Sequence, residues 1–222
     1  MKKYLLPVII AVLSLQSNAT TITGTVTADN HYALYVGDEN GSNLTFIGRN
    51  EVGPGGSSGG YNWSSPENWS FEANDGQYLY LAGWSDGSSA QGLIGEFQYD
   101  GNDVFTGTGW EWKATNNPVG DYGAAPGIAD VSSQILAGGF VGVTNIADNG
   151  VGPWGYINGI DVNADWMWAN NVSMFSGSSN GEYHLFRKEI ETNNVPEPFE
   201  ISLILVSMTI LAGLKFKRNK KV

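Results

Sequence analysis

Short apolar segments alternate with clusters of Gly, Asn, Asp and Ser along most of this chain, and this alternation limits the folds available to it. The segments are too short for most helices, and none shows a sustained helical period. Aromatic residues make up 12% of the sequence, which is more than disordered segments contain. The pattern is therefore typical of an all-β domain built as a sandwich or a barrel.

The apolar segments and the turn residues between them predict nine strands. They cover residues 21–27, 32–36, 44–48, 67–71, 77–84, 93–99, 109–113, 164–168 and 183–190. Residues 100–103 are predicted to be a turn, and residues 50–60, 116–127 and 145–159 to be loops. Residues 131–143 fit either a strand pair or a short helix. We therefore expect one all-β domain over residues 20–190.

The N-terminus has the composition of a secretory signal peptide. Lys2 and Lys3 precede the apolar run 4–15, and Ser17-Asn18-Ala19 places small residues where signal peptidase reads the chain. We expect signal peptidase to remove residues 1–19 and to leave an exported chain that begins at Thr20. A retained membrane anchor is the alternative, but an apolar run of 12 residues is short for a span.

The C-terminus combines a Pro-Glu-Pro sequence, an apolar run and a basic tail. Pro196, Glu197 and Pro198 follow a linker at 191–195, and the two prolines keep this peptide extended. A helix over residues 199–216 would be about 27 Å long, close to the hydrocarbon thickness of a bilayer. Five cations follow, at Lys215, Lys217, Arg218, Lys220 and Lys221. The sequence therefore predicts a C-terminal transmembrane helix with its basic end in the cytoplasm.

This order of motif, helix and basic tail over residues 196–222 resembles the PEP-CTERM sorting signal of Gram-negative bacteria. Pro196, Glu197 and Pro198 match its motif, although Phe199-Glu200 stands where small or polar residues usually follow. The resemblance implies processing by an exosortase, a membrane enzyme that resembles a cysteine transpeptidase. It also implies anchoring in the inner membrane before processing, and then a place at the cell surface or in the exopolysaccharide matrix. A plain C-terminal anchor is the alternative.

The charge of the central region narrows the choice of partners. Residues 20–194 hold four basic and 20 acidic residues, a net charge of −16. Such a domain repels nucleic acids and anionic lipids, whereas cations and neutral glycans remain possible ligands. The sequence has no cysteine, which excludes disulfides and thiol catalysis. Its two histidines, His31 and His184, do not favour a His-rich metal site.

Several central motifs together resemble the galactose-binding-like jelly-roll fold. They are Ala28-Asp29-Asn30 with the strand 32–36, Ala82-Gly83-Trp84 before the strand 92–97, Trp166-Met167-Trp168, and Phe186-Arg187. The chain departs from the pattern at Gly37-Asp38, where an Asn-Gly turn is usual. The resemblance implies a β-sandwich of that type between the signal peptide and the C-terminal helix.

The eight tryptophans suggest carbohydrate binding, because sugars stack on exposed aromatic rings. Trp63 and Trp154 lie in Gly-rich loops and are predicted to be sugar contacts, although burial in the core is equally open for both. Asp86 and Gln91 follow Trp84 and are the predicted polar partners. The predicted core tryptophans are Trp84, Trp112, Trp166 and Trp168.

A structural calcium ion remains open, and no other cofactor is expected. Asp161-x-Asn163-x-Asp165 matches the start of a calcium loop, but Trp166 and Val172 replace its Gly and Glu. Turn carboxylates are an alternative source of ligands, although such residues more often cap turns. These carboxylates belong to Asp29, Asp38, Asp100, Asp103 and Asp148.

The sequence shows none of the common catalytic motifs. It lacks the Gly-x-Ser-x-Gly elbow, the His-Glu-x-x-His helix and the phosphate loop. We therefore expect a non-catalytic carbohydrate-binding or surface-binding protein. The rival prediction is a secreted glycoside-active enzyme, which would need a pair of carboxylates about 5–10 Å apart in an open cleft.

Overall fold

The computed structural model of the protein describes residues 19–50, 63–85, 90–119, 125–175 and 182–191. All of them belong to the first of two units into which the chain divides, Met1–Thr192 and Asn193–Val222. Asp86, the sorting motif Pro196-Glu197-Pro198, the predicted helix 199–216 and the signal peptide before Ala19 lie outside the described residues. Within the described ranges, no helix has the length and apolar character needed to cross a membrane.

Twelve strands in the described ranges form two antiparallel sheets. The strands are β1 (Thr20–Asp29), β2 (His31–Gly37), β3 (Thr45–Arg49), β4 (Glu67–Ala73), β5 (Tyr78–Trp84), β6 (Gly92–Tyr99), β7 (Asn102–Phe105), β8 (Glu111–Pro118), β9 (Val141–Gly142), β10 (Asn145–Asp148), β11 (Asp165–Trp168) and β12 (Glu182–Glu189). The first sheet has the order β10-β11-β6-β1-β4, with β7 also paired to β6. The second has the order β3-β2-β5-β12-β8-β9. The all-β prediction is confirmed, and the two sheets are consistent with a β-sandwich.

The predicted strands overlap observed strands in all nine cases, while β7 and β10 were not predicted and β9 lies in the segment left open between a strand pair and a helix. The predicted turn at 100–103 is only partly right, because Asn102 already pairs with Tyr99. The two-residue turn between them is Asp100-Gly101, whose φ angles of 50° and 74° suit a tight hairpin. β10 occupies the start of the predicted loop 145–159 because it pairs with β11.

Residues 131–143 contain the last six residues of a helix and the short strand β9. α1 (Ile128–Leu136) buries Val131 and Ile135, which lie four residues apart on one face. This face packs on the outer side of the second sheet, where aromatic residues such as Tyr35 join the same cluster. The outer side of the first sheet is different, because Thr23 and Ser70 there are exposed.

The core between the sheets is rich in tryptophan. Three of the four predicted core tryptophans lie in it, since Trp166 and Trp168 are 0% exposed and Trp112 is 7% exposed. Trp84 is also 0% exposed, but it belongs to the cluster under α1 on the outer side of the second sheet. His184 of β12 lies between Trp112 and Trp168, with ring centroids 5.9 and 5.5 Å away. The aromatic content of the sequence therefore fills the interior of the domain.

The two ends of the sandwich differ in what they hold. At one end the Thr20 hydroxyl donates to Asp100 at 2.6 Å, and the Gly76 N–H donates to the Ile190 carbonyl at 3.0 Å. β1 therefore begins and β12 ends at this end of the sandwich, which we call the terminal end. The opposite end holds Asp29, which pairs with Gly92, and we call it the Asp29 end.

Candidate functional site

The Asp29 end contains a buried pair of stacked tryptophans. Trp154 lies 4.0 Å from Trp166 between ring centroids, and its indole N–H donates to Asp29 Oδ2 at 2.6 Å. Gly92 leaves space for both rings, because a Cβ there would lie 3.2 Å from Trp154 Cη2 and 3.0 Å from Trp166 Cε3. Trp154 is therefore only 4% exposed. Of the two alternatives left open for Trp154, the structure has the buried one, since Trp166 and Gly92 form a slot that covers the ring.

Exposed aromatic rings lie beside this pair. Phe175 is 46% exposed, and its ring centroid is 5.7 Å from that of Trp154. Tyr156 is 58% exposed and Val151 is 48% exposed, both in the loop that carries Trp154. We call Trp154, Trp166, Phe175 and the loop 151–156 the aromatic corner. Phe175 and Tyr156 were not predicted from the sequence, because only tryptophans were considered as stacking rings. Their position in Gly- and Ser-rich surroundings was the available signal.

Gln91 holds the backbone just before Phe175 through two hydrogen bonds. Its backbone N–H donates to the Met174 carbonyl at 3.0 Å, and its side-chain Nε2 donates to the Ser173 carbonyl at 2.8 Å. These bonds fix the segment that presents Phe175. Gln91 is 0% exposed, and its Oε1 has no hydrogen-bond partner among the described residues. An unpaired buried acceptor of this kind favours a donor supplied by a ligand or by water.

Trp63 also lies at the Asp29 end. Its carbonyl accepts a hydrogen bond from the Thr27 hydroxyl at 3.0 Å, two residues before Asp29. Its side chain is half-buried and packs against the core. The structure therefore brings Trp63, Trp154 and Gln91 to one end of the domain, whereas Asp86 lies outside the described residues.

No protein-family model, curated protein or solved structure matches this chain. The geometry of the domain is therefore what bears on its function.

The turn at Asp29-Asn30 is fixed by hydrogen bonds from Asn50, which follows β3, and Ser85, which follows β5. Asn50 Nδ2 donates to the Asn30 carbonyl at 2.7 Å, and Asn50 Oδ1 accepts the Tyr32 N–H at 3.0 Å. Ser85 Oγ donates to Asn30 Oδ1 at 3.3 Å. This network fixes the Asp29 carboxylate against Trp154. The Ala-Asp-Asn motif seen in the sequence thus has a structural role at this end.

The acidic turns use their carboxylates as hydrogen-bond acceptors. Asp38 accepts from Gln77, Ser42 and Asn43, and these bonds, led by that from Gln77, lower the pKa of Asp38. Asp100 accepts from Thr20, and Asp103 accepts from Gln98 at 2.8 Å. Such bonds are what turn-capping carboxylates make without a metal.

The calcium-like segment forms a local turn. Asp161 Oδ1 accepts the backbone N–H and the side-chain amide of Asn163, both at 2.8 Å. Across the ranges that the structure describes, no group of three or more His, Asp and Glu side chains is placed to hold a metal ion. The segment therefore gives no geometric support for a calcium site.

One carboxylate pair lies directly across two strands. Asp148 of β10 is opposite Asp165 of β11. Burial, and then the charge of Asp148, raise the pKa of Asp165. Opposite residues in such a pair have Cβ atoms about 4.5–5.5 Å apart, which is near the carboxyl separation of retaining glycosidases. This pair is the arrangement that bears on the enzymatic alternative.

Proposed function

We propose that this chain is an exported protein of the cell envelope or extracellular matrix, sorted by an exosortase, whose β-sandwich binds carbohydrate without catalysis. We assign the sandwich to the galactose-binding-like jelly-roll type. The observation that carries the binding proposal is the aromatic corner, where the exposed Phe175 ring lies beside buried Trp154, and Gln91 holds the residues just before it. Exposed aromatic rings offer a stacking surface to sugars.

The chemistry of the corner favours a neutral sugar. The apolar face of a pyranose would stack on the exposed Phe175 ring, while Gln91, which is 0% exposed, would hold the segment that presents this ring. The net charge of −16 over residues 20–194 disfavours anionic glycans. The tight packing of Trp154 beneath Phe175 keeps the ring in place before a ligand arrives.

A glycan array tests the binding proposal. The full-length chain, purified in mild detergent, should bind neutral glycans, and Phe175→Ala should abolish most of the signal. Leu136→Ala is the matched control, since Leu136 is an apolar side chain that is 74% exposed on α1. Equal binding by wild type and Phe175→Ala would contradict a role for the aromatic corner.

Processing at the C-terminus tests the sorting proposal. Glu197 lies between the two prolines of the proposed motif, so Glu197→Ala should leave the unprocessed chain in the membrane. Glu200→Ala, three residues away and outside the motif, should be processed normally. Mass spectrometry of the mature chain gives the readout. An unchanged mature mass for Glu197→Ala would show that the motif is not read.

A glycoside-active enzyme is the second candidate, because Asp148 and Asp165 form a cross-strand carboxylate pair with one raised pKa. Release of reducing sugar from neutral oligosaccharides by the wild type, lost in both Asp148→Asn and Asp165→Asn, would favour this candidate. We expect no release from any of the three proteins. Neither carboxylate belongs to the aromatic corner.

A further inference from the structure

A polar groove of about 390 Å³ crosses the outer face of the first sheet. Two rows of side chains, set by the strand register, line it. One row is Ser70-Thr23-Gln98 and the other is Asn68-Thr25-Glu96, each contributed by β4, β1 and β6 in that order. The rows lie about 7 Å apart along the strands, and the strands are about 4.8 Å apart. The groove therefore presents a regular grid of hydroxyl, amide and carboxylate groups.

Many polar atoms of this grid are available to a ligand. The Thr25 hydroxyl donates to Asn68 Oδ1 at 3.0 Å, and Gln98 Nε2 donates to Asp103 at 2.8 Å. Glu96 Oε2 accepts the Asp161 N–H at 2.8 Å. The remaining polar atoms, Asn68 Nδ2, Gln98 Oε1 and Glu96 Oε1, enter no hydrogen bond within the described ranges, and the residues that carry them line the groove. The hydroxyls of Thr23 and Ser70 enter no side-chain hydrogen bond within the described ranges, and both residues are exposed.

The groove is linked to the aromatic corner through two hydrogen bonds. The Tyr156 hydroxyl donates to the Ile160 carbonyl at 3.3 Å, and the next residue, Asp161, donates its N–H to Glu96. The loop that carries Trp154 and exposed Tyr156 therefore reaches the wall of the groove. A ligand that extends from the corner would find polar groups along this path.

We propose that the groove is a second carbohydrate subsite, which holds a stretch of a neutral polysaccharide chain along the outer face of the first sheet. The inference rests on the proposed glycan-binding function and extends it from one sugar at the corner to a chain. Hydroxyl and amide groups in rows match the many hydroxyls of a polysaccharide. Glu96 within the groove, and Asp103 and Asp161 bonded to its lining, repel anionic chains.

The test compares hexasaccharides with disaccharides on the full-length chain by isothermal titration calorimetry. The probes are neutral β-1,4-glucan and mannan hexasaccharides, the matching disaccharides, and an anionic polygalacturonate hexasaccharide. Thr23→Val with Ser70→Ala removes two groove hydroxyls while keeping shape and exposure. We expect this double variant to bind a neutral hexasaccharide about tenfold more weakly, the effect of two neutral hydrogen bonds.

Thr21→Val is the matched control. Thr21 lies on the same face of β1, one row beyond the groove, where its hydroxyl donates to Glu72 at 2.6 Å. It should bind the hexasaccharides as the wild type does, and disaccharide binding should be the same in all three proteins. Equal melting temperatures of wild type and double variant would show that the fold is intact.

The possible results separate the two proposals. If the double variant binds hexasaccharides like the wild type while Phe175→Ala does not, the groove proposal is overturned and the corner stands. If the wild type binds no sugar at all, the proposed function fails and the groove proposal fails with it. Tighter binding of the anionic than of the neutral hexasaccharides at physiological salt would also overturn the groove proposal.

Discussion

His184 in the core lies between aromatic rings and has no hydrogen-bond partner among the described residues. His184 is 3% exposed, and neither ring nitrogen is bonded in the described part of the chain. Trp112 and Trp168 present their rings edge-on to the imidazole. Burial therefore disfavours the charged form and lowers the pKa of His184 to about 4. The folded domain holds this histidine neutral.

The buried histidine predicts a loss of stability in mild acid. The unfolded chain takes up the His184 proton near pH 6.5, whereas the folded chain takes it up only near pH 4. Its contribution to stability is therefore complete above pH 6.5 and falls by about 2 kcal/mol at pH 5. Urea unfolding at pH 7.5 and pH 5 should show this loss in the wild type and not in His184→Phe.

Phe186→Leu is the control for this prediction. Phe186 lies two residues along the same strand and is also buried, but it does not titrate. The variant should be less stable at both pH values and should keep the acid-dependent loss of the wild type. A parallel loss in His184→Phe would place the acid sensitivity elsewhere.

Truncation of Trp154 and of Phe175 should lower the stability of the domain by very different amounts. Trp154→Ala removes a buried ring and its bond to Asp29, so the free energy of unfolding should fall by about 3–5 kcal/mol. Phe175→Ala shortens a half-exposed side chain and should cost less than about 1.5 kcal/mol. Chemical denaturation of both variants measures the difference. Wild-type stability in Trp154→Ala, with lost sugar binding, would restore Trp154 as a direct contact.

Among the elements, α1 is bonded at its C-terminal end to a lysine of the second sheet. Lys113 of β8 donates through Nζ to the Gln134 carbonyl at 2.7 Å and the Gly138 carbonyl at 2.8 Å. These carbonyls lie at the helix C-terminus, where backbone acceptors lack partners and the helix dipole favours a cation. Lys113 thus joins the helix to the second sheet.

This contact predicts that Lys113→Met destabilises the domain by about 1–3 kcal/mol, since charged hydrogen bonds to the helix end are lost. Lys188→Met is the control, because the Lys188 hydrogen bond seen in the described residues is a long one, to the Gly109 carbonyl at 3.4 Å, in an exposed position. It should change stability by less than about 0.5 kcal/mol. Thermal melts that shift equally for both variants would rule out a specific role for Lys113.

The elements that the sequence predicted are those with strong local patterns. Strands such as β2 and β5 are apolar and rich in aromatic residues over their whole length, so propensity and pattern agree. β7 and β10 have only four residues each and form because a neighbouring strand supplies their hydrogen bonds. The sequences of such edge strands show little of the local pattern that predicts a strand.

The candidate site was harder to predict, because its packing joins distant residues. Burial of Trp154 requires Trp166, twelve positions later, and Gly92, from another strand of the same sheet. A Gly-rich local sequence pointed instead to an exposed ring. Gln91 was predicted as a polar partner of a sugar, whereas the structure also uses it to position Phe175.

At the scale of the whole molecule, the acidic charge predicts a stability that depends on salt. A domain with a net charge of −16 is destabilised by self-repulsion. Sodium chloride should raise the melting temperature as the Debye length falls from about 30 Å at 0.01 M to about 10 Å at 0.1 M. A flat melting temperature over this range would show that the charges are too dispersed to matter.

Calcium and magnesium should act alike once the charge is screened. Asp38, Asp100 and Asp103 already accept protein hydrogen bonds, so in high salt we expect no further rise with millimolar calcium. A saturable rise with calcium that a chelator reverses and magnesium does not reproduce would reveal a specific site, because magnesium demands a tighter octahedral shell.

Thr20 and Ile190, near the first and last described residues of the domain, both lie at the terminal end. β1 runs ten residues from Thr20 to Asp29, which corresponds to about 30 Å along the sandwich. The aromatic corner lies at the Asp29 end, so the residues proposed to bind sugar are separated from Thr20 and Ile190 by about that length of sheet.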